Sequence, residues 1–268
     1  MLIDTHCHLT DTPLNSDISG VIARAYEVGV AAFVCPSADR ESSCDAVEVA
    51  KQWPGKAFAA VGIHPAWIPA SVDTTNVQAY IKQELGWLEE LISQGNVTAI
   101  GEIGLDKAVV PANVEVQKAV FLAQAQLAKD AGLPIIVHVR KAFSETLQVL
   151  KSLGKHLGVA HAFGGSTELS NELFKLGYYR GVGGTITRPG SVRIRAAVKA
   201  TSLETIVLET DAPYIGTESV PAGRVQPCDL PEIAVALAKL HGCSIAKVIE
   251  QTTNNAMQLF NLELERAS

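Results

Sequence analysis

The chain has 268 residues, of which 47 % are hydrophobic and 19 % charged, and its formal net charge is −6. Such a composition fits a large globular fold and excludes a disordered chain. The negative balance argues against a general electrostatic grip on a nucleic-acid backbone, though not against a local basic patch at a cleft.

Short β-branched or apolar runs recur eight times, at 2–8, 30–35, 57–64, 97–102, 134–138, 158–161, 178–183 and 205–211. Each is followed by a helically spaced segment. The clearest spans 113–131, where Val116, Val120, Ala123 and Leu127 form one apolar stripe. Gly29, Gly95, Gly132, Gly154 and Gly177 each stand just before a strand, as left-handed helix stops. Strand, helix and glycine in repetition predict parallel strands joined by crossovers. No linker or composition shift divides residues 1–268, so the pattern predicts a single-domain (β/α)8 TIM barrel. A doubly wound open sheet is disfavoured by the eight even units, and no G-x-G-x-x-G follows the first strand.

His6, His8, His64, Glu102, His138, His161 and Asp211 all fall at or near the C-terminal end of a predicted strand. In a barrel those ends converge on the face that carries active sites. The side-chain period of two lets His6 and His8 both look inward, and turns Cys7 outward as a small core residue. It also pairs His138 with Arg140 and Glu209 with Asp211. Any one of these residues alone reads more readily as a packed histidine or a solvated acid than as a ligand. Four imidazoles and two carboxylates buried together are different, because only a cation offsets their desolvation. The pattern therefore predicts a metal site built from His6, His8, Glu102, His138, His161 and Asp211.

The cysteines Cys7, Cys35, Cys44, Cys228 and Cys243 are odd in number and lack C-x-x-C spacing. A disulfide framework is not expected, and a reducing, cytoplasmic setting is. No apolar run approaches the roughly 18 residues of a membrane span. Met1-Leu2-Ile3-Asp4 does not read as the start of a signal peptide.

The segments Ile3-Asp4-Thr5-His6-Cys7-His8, Gly62-Ile63-His64-Pro65, Gly101-Glu102-Ile103-Gly104-Leu105-Asp106, His138-Val139-Arg140 and Leu208-Glu209-Thr210-Asp211-Ala212-Pro213 form a series. It resembles the successive motifs of the TatD-related metal-dependent hydrolases, a DNase-like branch of the amidohydrolase superfamily. The tail 254–260 resembles that family's closing helix, so the likeness covers essentially the whole chain. The resemblance implies a (β/α)8 barrel with two divalent cations. It also implies that His6, His8 and Asp211 hold one cation and His138 and His161 the other, with Glu102 bridging. An all nitrogen and oxygen donor set suits Zn²⁺, Mn²⁺ or Mg²⁺ alike. Two loops depart from the family pattern: Lys107-Ala108-Val109-Val110-Pro111 replaces an aromatic run, and Arg224-Val225-Gln226-Pro227-Cys228 replaces an Arg-Asn-x-Pro-like turn.

The expected activity is that of an exonuclease-like phosphodiesterase on single-stranded or frayed DNA, with RNA as a further substrate. A metal-held water is the nucleophile and Asp211 the general base. Arg140 offers a planar fork to phosphate oxygens, and His64 a donor to the phosphate or the leaving group. Glu209 reads as a group that orients a histidine or, equally, as a buried strand acid paired elsewhere, and Trp67 reads more readily as a packed loop aromatic than as a stacking platform for a base. Arg180, Arg188, Arg193, Arg195, Lys199 and Arg224 predict a local basic rim. Two alternatives stand beside this reading, a small-molecule amidohydrolase or esterase on the same metals, and a metal-stabilised scaffold without activity. No obligatory protein partner and no membrane are expected.

Overall fold

A computed structural model describes residues 1–110 and 113–264 of the chain. Pro111, in the first departing loop, and residues 265–268, at the end of the expected domain, lie outside the described residues. Eight parallel strands form one sheet in sequence order: β1 (Leu2–Asp4), β2 (Val30–Cys35), β3 (Ala57–Val61), β4 (Val97–Asp106), β5 (Ile135–Arg140), β6 (Gly158–Ala160), β7 (Tyr178–Val182) and β8 (Ile206–Leu208). Between them run α1 (Ile18–Glu27), α2 (Arg40–Gln52), α3 (Val77–Ser93), α4 (Val114–Asp130), α5 (Phe143–Leu153), α6 (Thr167–Leu176) and α7 (Val192–Ala200). After β8 come α8 (Leu230–His241) and α9 (Ile245–Phe260). This is the (β/α)8 barrel that the periodicity predicts. No helix among the described residues is long and apolar enough to cross a membrane.

The strands are short and valine-, isoleucine- and alanine-rich because both their faces are covered, by the barrel interior and by the helices. Gly177 ends α6 at φ 90°, the left-handed stop read from its position. Closure of the barrel happens above the ends of β1 and β8. Thr5 N donates to Leu208 O at 3.0 Å, Asp211 N to His6 O at 2.8 Å and His8 N to Ala212 O at 2.9 Å. The two ends of the sequence are thereby joined through the residues that matter most for chemistry. Asp4, fully buried, sutures the same seam. Its Oδ1 accepts from Thr210 N at 2.9 Å and from His6 N at 3.3 Å, and its Oδ2 accepts from the Thr210 hydroxyl at 2.6 Å.

Several strands differ in length from the sequence pattern. Strands predicted over 2–8, 57–64 and 205–211 stop at Asp4, Val61 and Leu208. The chain beyond them leaves the ladder to turn over the barrel mouth. β4 does the opposite and runs four residues past Glu102, to Asp106. The helix predicted over 113–131 forms as α4, yet its buried face is rotated from the apolar stripe. Val116 and Val120 are buried, Ala123 and Leu127 are only half-buried, and Gln117 and Gln124 take their place. The reason is hydrogen bonding: Gln124 Oε1 accepts from Ile63 N at 2.7 Å and its amide donates to Ile63 O at 3.1 Å. Gln117 makes the same pair with Asp106, at 2.9 and 3.0 Å. A buried glutamine whose donor and acceptor are both used is stable in an apolar interface. Two of them, seven residues apart on α4, pin the main chain just before His64 and at Asp106.

Candidate metal centre

The six residues read as a metal set arrive together at the barrel mouth. Their contacts divide into two groups. On one side His6 Nε2 lies 3.2 Å from His8 Nε2, and Asp211 Oδ1 stands 3.6 and 3.3 Å from those two nitrogens. On the other, His138 Nδ1 lies 3.3 Å from His161 Nε2. Glu102 spans the two. Its Oε2 faces His6 Nε2 at 3.3 Å and His8 Nε2 at 3.9 Å. Its Oε1 faces His138 Nδ1 at 2.5 Å and His161 Nε2 at 2.7 Å.

Each imidazole pair thus aims two ring nitrogens at one point, where at most one shared proton can relieve the lone-pair repulsion. The donor set is borderline to hard, with no thiolate among the converging atoms, and every member is at least four-fifths buried. These residues fit a divalent cation. Groups of residues close enough to share one ion are His6, His8 and Glu102, then His6, His161 and Asp211, and also His64, Glu102 and His138. The last includes His64, but its own hydrogen bonding speaks against ligation. His64 Nδ1 accepts from Ala66 N at 3.0 Å, and burial lowers its pKa to about 4, so the ring is neutral with its proton on Nε2. That Nε2 lies 3.6 Å from Glu102 Oε1, beyond hydrogen-bond distance.

Charge within the cluster is strongly coupled. Burial opposes the imidazolium at His8 and His138, yet the Asp211 carboxylate beside the first and Glu102 beside the second raise both to about 9. Burial likewise opposes ionisation of Glu102, and the surrounding imidazoles, His161 and His138 foremost, still hold it well below the usual carboxylate range. Two backbone positions near the cluster have left-handed φ without being glycine, Asp211 at 50° and Ala162 at 43°. Aspartate tolerates this conformation better than most residues, and such positions concentrate at functional sites.

Two further carboxylates, Asp106 and Glu209, stand beside ring nitrogens of the cluster. Asp106 Oδ2 faces His138 Nε2 at 3.4 Å and Arg140 Nη1 at 3.8 Å, while Ala108 N donates to Asp106 Oδ1 at 2.7 Å. Sequence reasoning missed Asp106 as a site residue. The signal was present, since a period of two from Glu102 through Gly104 reaches Asp106 on the same face. Glu209 Oε1 accepts from Ala162 N at 2.5 Å and stands 3.8 Å from His161 Nδ1. Room for it exists because Gly181 has no side chain; a Cβ there would sit 2.1 Å from Glu209 Oε2. Cys7 is fully buried with its thiol toward Val34 O, outside the cluster.

The predicted basic rim does not form at the cleft. Arg180 is buried at the other end of the barrel, donating to Tyr178 O at 2.7 Å and to the Thr205 hydroxyl. Arg188 and Arg195 donate to the carbonyls of Gly216 and Ile186, holding loops together. Arg140, with 64 % of its side chain exposed, is the one arginine or lysine among the described residues lining the cleft. Trp67 is 53 % exposed on the cleft wall, edge-on to His64. It is not a packed aromatic.

Comparison with known proteins agrees with this geometry. The family model described as TatD related DNase matches residues 3–261. The chain is 32 % identical to an uncharacterized metal-dependent hydrolase, YabD, of Bacillus subtilis, over 98 % of this chain and 100 % of that one. It is 30 % identical to the 3'-5' ssDNA/RNA exonuclease TatD of Edwardsiella piscicida, over 97 % and 100 %. Its fold superposes on the crystal structure of the TatD homologue YjjV of Escherichia coli with a TM-score of 0.84, at 28 % identity and 98 % coverage of both chains. An eight-stranded barrel with this cluster at its mouth and this likeness over nearly its full length belongs to the TatD-related DNase family.

Proposed function

We propose that this chain is a divalent-metal-dependent phosphodiesterase that hydrolyses single-stranded nucleic acid, DNA foremost and RNA also, from its ends. The observation that carries the reading is Glu102, whose two oxygens face two separate imidazole pairs beside an open cleft. His6, His8 and Asp211 would hold one cation and His138 and His161 the other, with Glu102 contributing to both. Zn²⁺, Mn²⁺ and Mg²⁺ all suit the donor set. When bound, such a pair lowers the pKa of water and withdraws charge from a phosphoryl oxygen. His8 and His138, drawn up to about 9, lose protons on loading, so affinity falls as pH falls.

The chain's own residues supply the rest. Asp211 orients the attacking water and accepts its proton at the carboxylate. As the water oxygen bonds to phosphorus, the bond from phosphorus to the leaving sugar oxygen breaks, and that oxygen takes a proton from solvent. Arg140 holds non-bridging phosphate oxygens with its fork. His64, being neutral, gives a hydrogen bond from Nε2 to the phosphate and not a proton. Asp106 fixes the ring of His138 through Nε2, and Asp106→Asn is expected to cost about 10- to 100-fold in metal affinity or activity. Metal titration followed by calorimetry checks this.

A second reading, hydrolysis of a small neutral ester or amide, is favoured by one observation: besides Glu102, Asp106 and Asp211, four further carboxylates line the same cleft. The test is to load purified protein with Mg²⁺, Mn²⁺ or Zn²⁺ and offer end-labelled oligonucleotides beside neutral esters and amides. Stepwise shortening of the oligonucleotides supports the phosphodiesterase. Turnover of the neutral compounds alone overturns it.

A further inference from the structure

The cleft above the cluster has a volume of about 660 Å³ and is charged unevenly. Going round the barrel mouth, Asp11 follows β1, and Asp39, Glu41 and Asp45 come from the start of α2, just after β2. Arg140 ends β5, three strands further round the barrel. A helix N-terminus such as that of α2 can hold an anion, but here part of it is already engaged in its own capping box. Ser42 N donates to Asp39 Oδ1 at 2.9 Å, and Ala38 N and Asp39 N donate to Ser42 Oγ at 2.9 and 3.0 Å. Asp11 accepts from the Tyr214 hydroxyl at 2.6 Å. Glu41 and Asp45 are exposed and have no ion-pair partner among the described residues.

A nucleic-acid strand across this cleft meets a compatible field on one side of the cluster only. With the scissile phosphate at Glu102 and Asp211, neighbouring phosphates are accommodated toward Arg140. A phosphate on the opposite side would enter the field of four carboxylates at the cleft wall, of which Asp11 has His8 beside it at 3.7 Å. A terminal nucleoside is neutral there, and its free hydroxyl can donate to a carboxylate oxygen.

We propose that the wall formed by Asp11, Asp39, Glu41 and Asp45 makes this cleft select strand ends that carry a free hydroxyl and reject ends that carry a terminal phosphate. The inference rests on the phosphodiesterase reading and adds its substrate selection. Glu41 and Asp45 are the residues that set it, since Asp39 is engaged in capping α2 and Asp11 is held by Tyr214.

The experiment measures initial rates on one internally labelled oligonucleotide bearing a hydroxyl or a phosphate at its 3' end, and likewise at its 5' end. At the end where degradation begins, the hydroxyl form is expected to be cut on the order of tenfold faster than the phosphate form, and raised salt is expected to narrow the gap. The double variant Glu41→Gln with Asp45→Asn should narrow it several-fold by speeding the phosphate-ended substrate. The salt series on the unaltered protein keeps the test decisive even where the variant folds poorly. Equal rates for both forms, or a gap that neither salt nor the variant changes, overturn the acidic wall while leaving the phosphodiesterase intact. Absence of cleavage of every form with Mg²⁺, Mn²⁺ and Zn²⁺ overturns the phosphodiesterase, and the selection with it.

Discussion

Glu102→Gln is expected to lower kcat/KM by about 10³-fold or more, the equivalent of roughly 4 kcal/mol of lost electrostatic stabilisation. The substitution keeps the size of the side chain and removes its charge. Its amide must place an NH2 against one of the two imidazole pairs that Glu102 now faces with an oxygen each. Both cation positions therefore weaken together, and elemental analysis after careful loading should show fewer ions per chain than in the parent. A variant that kept its full complement of metal and near-normal turnover would refute the bridging role. If the parent itself shows no activity on any phosphodiester, ester or amide, and the variant loses only metal and thermal stability, the site is a structural one.

Asp4→Ala is expected to destabilise the fold by about 3 kcal/mol, because it leaves Thr210 N, the Thr210 hydroxyl and His6 N buried without their acceptor. These groups lie on the seam between β1 and β8, so the loss also loosens His6 and Asp211 relative to each other. Asp4→Asn should be milder, since its remaining oxygen still accepts from the Thr210 amide and its NH2 can donate to the Thr210 hydroxyl. Urea denaturation of all three proteins in metal-free buffer measures the difference. Equal midpoints for the parent and the alanine variant would remove Asp4 from the account of closure.

How much of the site was legible before folding differs residue by residue. His6 and His8 could be assigned inward, and Cys7 outward, because a period of two needs only the local chain. Glu102, His138, His161 and Asp211 could be gathered because parallel strands in a barrel all end on one face. Asp106 escaped because β4 continues beyond the point where its apolar run ends. What holds that extension in place is its ladder with β5, together with Gln117 from α4, contacts between distant segments. The arginines misled for a related reason. Arg180 reads as a surface charge by type, but its planar fork fits the buried carbonyl of Tyr178 and the Thr205 hydroxyl. Trp67 went the other way, remaining exposed on the cleft wall.

The sequence by itself determined the order of strands and helices, the barrel class and the six residues at its mouth. Those follow from periodicity and strand ends, which are properties of short stretches. Only the tertiary structure decided which oxygen of Glu102 faces which imidazole pair, which tautomer His64 adopts, and where charge falls around the cleft. Each of these depends on distances between side chains from strands far apart in the chain. Interactions of this kind change over an ångström or two, and no local pattern records them.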